Sequence, residues 1–286
     1  MSGTPDGRVP GAEVTGNPPP TGDASPLRLV VLADSTSFTD GTGPQLPDEP
    51  TLYPNVLARR LETELDRGVS VTVIARPGTT VRDAVVTVRK DRHVQFDVIA
   101  HADALVVGVG SFDHAPAGTP PALQAMVPYL HPPRLRRRAR QWSHAAYPRL
   151  VAIRRGHGRR TPASEFDTLY RQLLEQLRGL TWGRAAGVAL GPTSHRSAYY
   201  GHLHPEHAAA EAAQLRLARE LGFAAVASWP LVEPHADELN VDGIHWPAVA
   251  HEAVGQALAD ALLPQLRGDA PVIGLPEAAR RAGLTS

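Results

Sequence analysis

The sequence predicts a three-layer α/β/α sandwich on a five-stranded parallel sheet. Three observations lead there. Five short, continuous apolar runs are spaced along the chain, helical patterns lie between them, and 286 residues at 42% hydrophobic content suffice for one large core but are short for two. Strands alternating with helices are βαβ units, which demand parallel pairing with helices on both faces.

In chain order, "LRLVVLA" from Leu27 is the first strand, and it runs straight into Asp34 and Ser35. Leu52, Val56, Leu57, Leu61 and Leu65 then recur at helical spacing, with Pro54 near the start, where a helix tolerates it. Further strands are expected at 69–75, 102–110, 185–191 and 223–229. Further helices are expected at about 79–90, 119–130, 164–180, 206–221 and 247–263.

The catalytic domain is expected to span 27–266, with an Arg-rich, lid-like insertion at about 116–160. Residues 1–26, rich in Gly, Pro, Thr and Ser, read as a disordered leader without a secretory signal. Residues 267–286 read as a tail with one short helix from about Pro276 to Ala282.

Composition narrows the function classes. A net charge of +0 gives no overall field for nucleic acid or an anionic membrane, and no apolar run approaches a spanning helix. The absence of Cys removes thiolate chemistry and disulfides. A cytoplasmic location is the default. Lys90 is the only lysine among 29 basic residues, which suggests a GC-rich, actinobacterial source.

Function is read at the strand ends, because ligands of parallel sheets bind beyond the carboxyl ends of the strands. Ser35 sits at such an end, where a nearby base can activate it, although Asp-Ser-Thr also reads as a simple turn. In "NVDGIHWP", Asp242 and His245 are three apart, a spacing that lets the carboxylate orient one imidazole nitrogen while the other faces a serine.

Four segments in order carry a resemblance: "ADSTSF", "ARPGTT", "GVGSFD" and "DGIH". They resemble the four blocks of the SGNH/GDSL hydrolase superfamily, whose fold is a flavodoxin-like sandwich. The resemblance implies Ser35 as nucleophile, His245 as base, Asp242 as its orienter, and the amides of Ser35 and Gly78 as the oxyanion hole. One position departs from the pattern. Where the superfamily keeps an asparagine donor in block three, this chain has Phe112, so either Ser111 substitutes as a donor or Phe112 lines an acyl pocket.

The extended first block, "PGTTVRD", "PYLHPPRLRRRAR" and "NVDGIHWPAVAHEAV" are similar to a mycobacterial branch of sugar octanoyltransferases whose third block also lacks the asparagine. That resemblance implies transfer of an octanoyl-like group from an acyl thioester to a glucosylglycerate-type hydroxyl. Hydrolysis of O-acyl esters is one alternative, and a non-catalytic carbohydrate- or acyl-binding protein is another.

Substrate contacts are expected from Asp34, Phe112, Asp113, His195, Tyr200, Trp246, Arg136 and Arg137. The last two belong to a run of ten arginines between Arg134 and Arg160, which reads equally as a solvated helix face or as an anion-binding patch. The mechanism needs no metal and no cofactor, and leaves acyl-CoA open as a co-substrate. Partners are then a small-molecule acyl donor and a sugar acceptor, without nucleic acid or membrane insertion. Oligomeric state is not readable.

Overall fold

The computed structural model describes residues 25–39, 45–46, 48–118, 126, 129 and 131–274. Most of the expected leader, nearly all of the helix expected at 119–130 and the tail helix lie outside them.

Five parallel strands, β1 Leu27–Ala33, β2 Val69–Ala75, β3 Ala104–Gly108, β4 Ala186–Leu190 and β5 Ala224–Val226, form one sheet in the order β2-β1-β3-β4-β5. The helices are α1 Tyr53–Leu65, α2 Val81–Lys90, α3 Ser111–His114, α4 Pro133–Ile153, α5 Ala163–Leu180, α6 His207–Glu220, α7 Trp229–Val232 and α8 Ala248–Leu266.

The strands read as continuous apolar runs because both faces of the sheet are covered. Leu29, Val31, Val106 and Val188 point to a layer formed with Leu57 and Leu61 of α1 and Val254, Leu258 and Leu262 of α8. Their neighbours Val30, Leu32, Leu105 and Val107 point the other way, onto Val85 and Val88 of α2, Leu173 and Leu177 of α5 and Leu217 of α6. Each buried Leu or Val of this kind stabilises the fold by roughly 1.5–3 kcal/mol relative to exposure.

α1 and α8 approach closely at Gly255. A Cβ there would stand 2.6 Å from Val56, so only glycine fits.

Register sets the site. Ala33 pairs with Ala75 on one side and with Gly108 on the other, so the chain segments following β1, β2 and β3 emerge level with one another. Ser35, Gly78 and Ser111 therefore leave the same edge of the sheet.

One element differs from expectation. β5 is three residues long, because Ser228 and Trp229 turn their amides to the Glu211 carboxylate and the chain enters α7. The basic stretch from Arg134 to Arg149 lies within a 21-residue helix, α4. Among the described residues, no helix is long and apolar enough to cross a membrane.

Candidate active site

Asp34 ends β1 as the cap of a 3-10 turn, Ser35–Ser37. Its Oδ1 accepts from the Thr36 amide at 3.0 Å and the Thr36 hydroxyl at 2.8 Å, which lifts Ser35 onto the rim of the turn. Burial pushes the Asp34 carboxyl up, against hydrogen bonds from Thr36 and from the Ser111 hydroxyl that pull it down.

Far along the chain, the turn before α8 folds on itself. Asp242 Oδ1 accepts from the amides of Ile244 (2.8 Å) and His245 (3.2 Å). Gly243, at φ +66, lies so close to the backbone of Arg196 and Ser197 that a Cβ would stand 2.7 Å from it. The Arg196 amide donates to the Gly243 carbonyl at 2.7 Å.

This fixed turn presents His245. Its Nδ1 lies 2.5 Å from Asp242 Oδ2 and its Nε2 lies 2.9 Å from Ser35 Oγ. An ionised carboxylate can only accept, so the proton sits on Nδ1, and Nε2 is left to accept from the serine hydroxyl. Partial burial raises the Asp242 carboxyl, but hydrogen bonds from the His245 ring and two amides outweigh it and hold the group below its ordinary range. The 2.9 Å contact between Ser35 and His245 falls within the reach expected of an activated nucleophile and its base.

The serine opens on a cavity of about 240 Å³, lined among others by Pro77, Gly78, Phe112, Ala115, His195, Tyr200 and Ile244. That is slightly below the roughly 300–1,000 Å³ usual for ligand sites. Gly78, at φ +65, adopts a backbone conformation that favours glycine and sits just ahead of the Thr80–Asp83 capping box of α2.

Of the expected substrate contacts, Asp34, Phe112, His195 and Tyr200 line this cavity. His195 is buried, and its Nδ1 accepts from the Ser197 amide at 3.4 Å. Burial, reinforced by the neighbouring His204 and His207, pushes its pKa down to about 3.

Three expectations are corrected. Asp113 is fully buried: it accepts from the Val81 amide at 2.8 Å and the Thr161 hydroxyl at 2.5 Å, tying α2 to the end of the insertion. Trp246 turns into the core beside Tyr53, its indole donating to Thr193 at 3.1 Å. Arg136 and Arg137 line a separate hollow with Pro133 and Arg134, because they sit on the outer turns of α4. Ser111 also lines the cavity, and its oxygen accepts from the Thr193 amide at 3.2 Å.

The histidines of the loop after β4 hold backbone. His204 Nε2 donates to the His114 carbonyl at 3.0 Å and His207 Nε2 to the Pro192 carbonyl at 2.8 Å. Sequence reasoning missed Ala115, Thr193 and Ile244 in the lining; each lies within a few positions of a recognised motif or of His195, which was the available signal.

No family model matches the sequence. Among curated proteins, a diglucosylglycerate octanoyltransferase of Mycolicibacterium hassiacum is 30% identical over 242 residues, covering 82% of this chain and 94% of that one. The chain belongs to the diglucosylglycerate octanoyltransferase family. A second member, from Mycobacterium tuberculosis, is 29% identical over 245 residues, covering 82% and 91%.

Solved structures place the octanoyltransferase-family chain in the SGNH/GDSL hydrolase fold. A lipase from a goat rumen metagenome superposes with TM-score 0.54 at 16% identity, covering 82% of this chain and 97% of the lipase. A lipase/acylhydrolase of Enterococcus faecalis gives 0.53 at 15%, covering 82% and 94%. As a member of that octanoyltransferase family, the protein is an enzyme.

Proposed function

We propose that the protein moves a medium-chain, octanoyl-like acyl group from an acyl thioester to a hydroxyl of a glucosylglycerate-type sugar, through an acyl-serine intermediate. The observation that carries this reading is the hydrogen-bonded chain from Asp242 through His245 to Ser35, opening on an apolar cavity in a member of this family.

Attack of Ser35 Oγ on the thioester carbonyl passes its proton to His245 Nε2. Asp242 stabilises the imidazolium that results. The negative charge on the carbonyl oxygen is taken by the amides of Ser35 and Gly78, and the departing thiolate recovers the proton. In the second half, the sugar hydroxyl gives its proton to Nε2 and attacks the acyl-serine, which returns the hydroxyl of Ser35.

An acyl-CoA serves as the thioester, and no resident cofactor or metal takes part in these steps. A water molecule can replace the sugar at the second attack, and water is present at about 55 M, so transfer depends on an oriented acceptor and a dry wall. Phe112, in place of a polar donor, supplies apolar surface there.

Thiol release and free octanoate, measured together with octanoyl-CoA as donor, test the proposal. Slow hydrolysis without sugar, and faster thiol release with most acyl on the sugar when glucosylglycerate is added, is the expected outcome. Rapid hydrolysis indifferent to the acceptor would identify an esterase. Thiol release surviving Ser35→Ala would overturn the acyl-serine route.

A further inference from the structure

Phe112 is held between two partners. On one side a Cβ placed on Gly78 would stand 3.3 Å from a ring-edge carbon, so the ring packs directly against the oxyanion glycine. Over its face lies the guanidinium of Arg160, 3.8 Å from the ring centroid.

Arg160 is held in turn by its backbone. Its amide donates to the Ala115 carbonyl at 3.3 Å, the Ala117 amide donates to the Gly158 carbonyl at 3.0 Å, and the Thr161 amide donates to the Asp113 carbonyl at 3.0 Å. The far end of the Arg-rich insertion is thus sewn to the segment that carries Phe112.

We propose that Arg160 is a positioning residue that keeps Phe112 against Gly78 and thereby sets the share of acyl-Ser35 lost to water. A cation over an aromatic face is attracted by the ring quadrupole, enough to favour the covered ring position by a few-fold to about thirtyfold. With the cation removed, the ring samples positions that uncover the Gly78 side of the cavity, and water gains access to the ester. The proposal rests on the acyl-serine intermediate described above, not on the identity of donor or acceptor.

The test therefore uses p-nitrophenyl octanoate in water containing methanol, with methyl octanoate and octanoate as the two products. Arg160→Ala is expected to raise the hydrolysed share at least threefold, and Arg160→Lys, which keeps a cation, to stay near the native ratio. In a Phe112→Leu background, Arg160→Ala is expected to add no further shift, because the arginine acts through the ring.

A native ratio in Arg160→Ala, or an undiminished shift in the Phe112→Leu background, would overturn the proposal. Arg160→Met, which keeps the packing of the stem, gives the same reading if the alanine variant does not fold. A sugar that fails to accelerate thiol release, alongside a methanol ratio that still shifts, would defeat the sugar reading and leave this one standing.

Discussion

The two sides of the cavity are built on different terms. On the polar side, Ser35, His245 and Asp242 are joined by contacts of 2.9 and 2.5 Å and depend on a turn whose glycine touches the neighbouring backbone. On the apolar side, Phe112 is gripped between Gly78 and Arg160. In the function proposed above, the first side supplies the bond-making groups and the second governs which nucleophile reaches them. On that reading, one triad serves transfer or hydrolysis according to what stands opposite it.

The strongest way to sharpen that contrast is to remove the polar side. Ser35→Ala and His245→Ala are each expected to lower thiol release by about 10⁴-fold or more with an unchanged melting temperature, since nucleophile and base act as a unit. Asp242→Asn is expected to lose less than either. A Ser35→Ala variant of native activity would end the comparison.

On the apolar side, Gly78→Ala is expected to cost about 10- to 100-fold in kcat/KM. The position has φ +65 and the new Cβ would press on Phe112, so the amide that meets the oxyanion shifts. Phe112→Asn is expected to act differently: free octanoate rises several-fold relative to acylated sugar, measured as product ratio. A fall in rate with no change in ratio would make Phe112 a mere packing residue.

The pH dependence of stability is a smaller effect. Burial holds His114 and His195 at about 3 and His204 at about 4, below the usual 6.5. As pH falls from about 6.5 toward 4, the unfolded chain binds protons that the folded chain refuses, so these groups destabilise the fold in acid. Asp113, pushed up to about 7, and Asp34, also raised by burial, act in the opposite sense as pH falls toward 3.8. Replacing one of the histidines isolates its share: His204→Gln is expected to lose less melting temperature than the native protein between about pH 7 and about pH 5.

The smallest effect is expected from Arg136→Ala, Arg137→Ala and Arg138→Ala combined. KM for an anionic donor should rise by a few-fold, more than kcat falls, and added salt should erase the difference, because charges on the outer turns of α4 act through solvent. A large, salt-insensitive loss would bring that end of the helix into the site.

What the sequence made legible follows from the same physics. Buried strands announce themselves as apolar runs, and Asp242 and His245 are close in sequence, so their pairing is local. Asp113 reads in the sequence as facing substrate because its partners, Val81 and Thr161, lie 32 and 48 positions away. Trp246 adjoins the base in sequence, yet its ring turns to Tyr53 in the core. Among ten arginines of one stretch, composition cannot tell Arg160, stacked on Phe112, from Arg136 in its own hollow.

Ser35 follows the first strand and His245 precedes α8, with 210 positions between them. The base is carried into place as α8 seats against α1, where Gly255 meets Val56. A chain in which α8 has not docked therefore holds Ser35 apart from His245. In refolding, regain of turnover should trail the regain of helical signal, since the contact that switches the serine on is among the longest-range in the molecule.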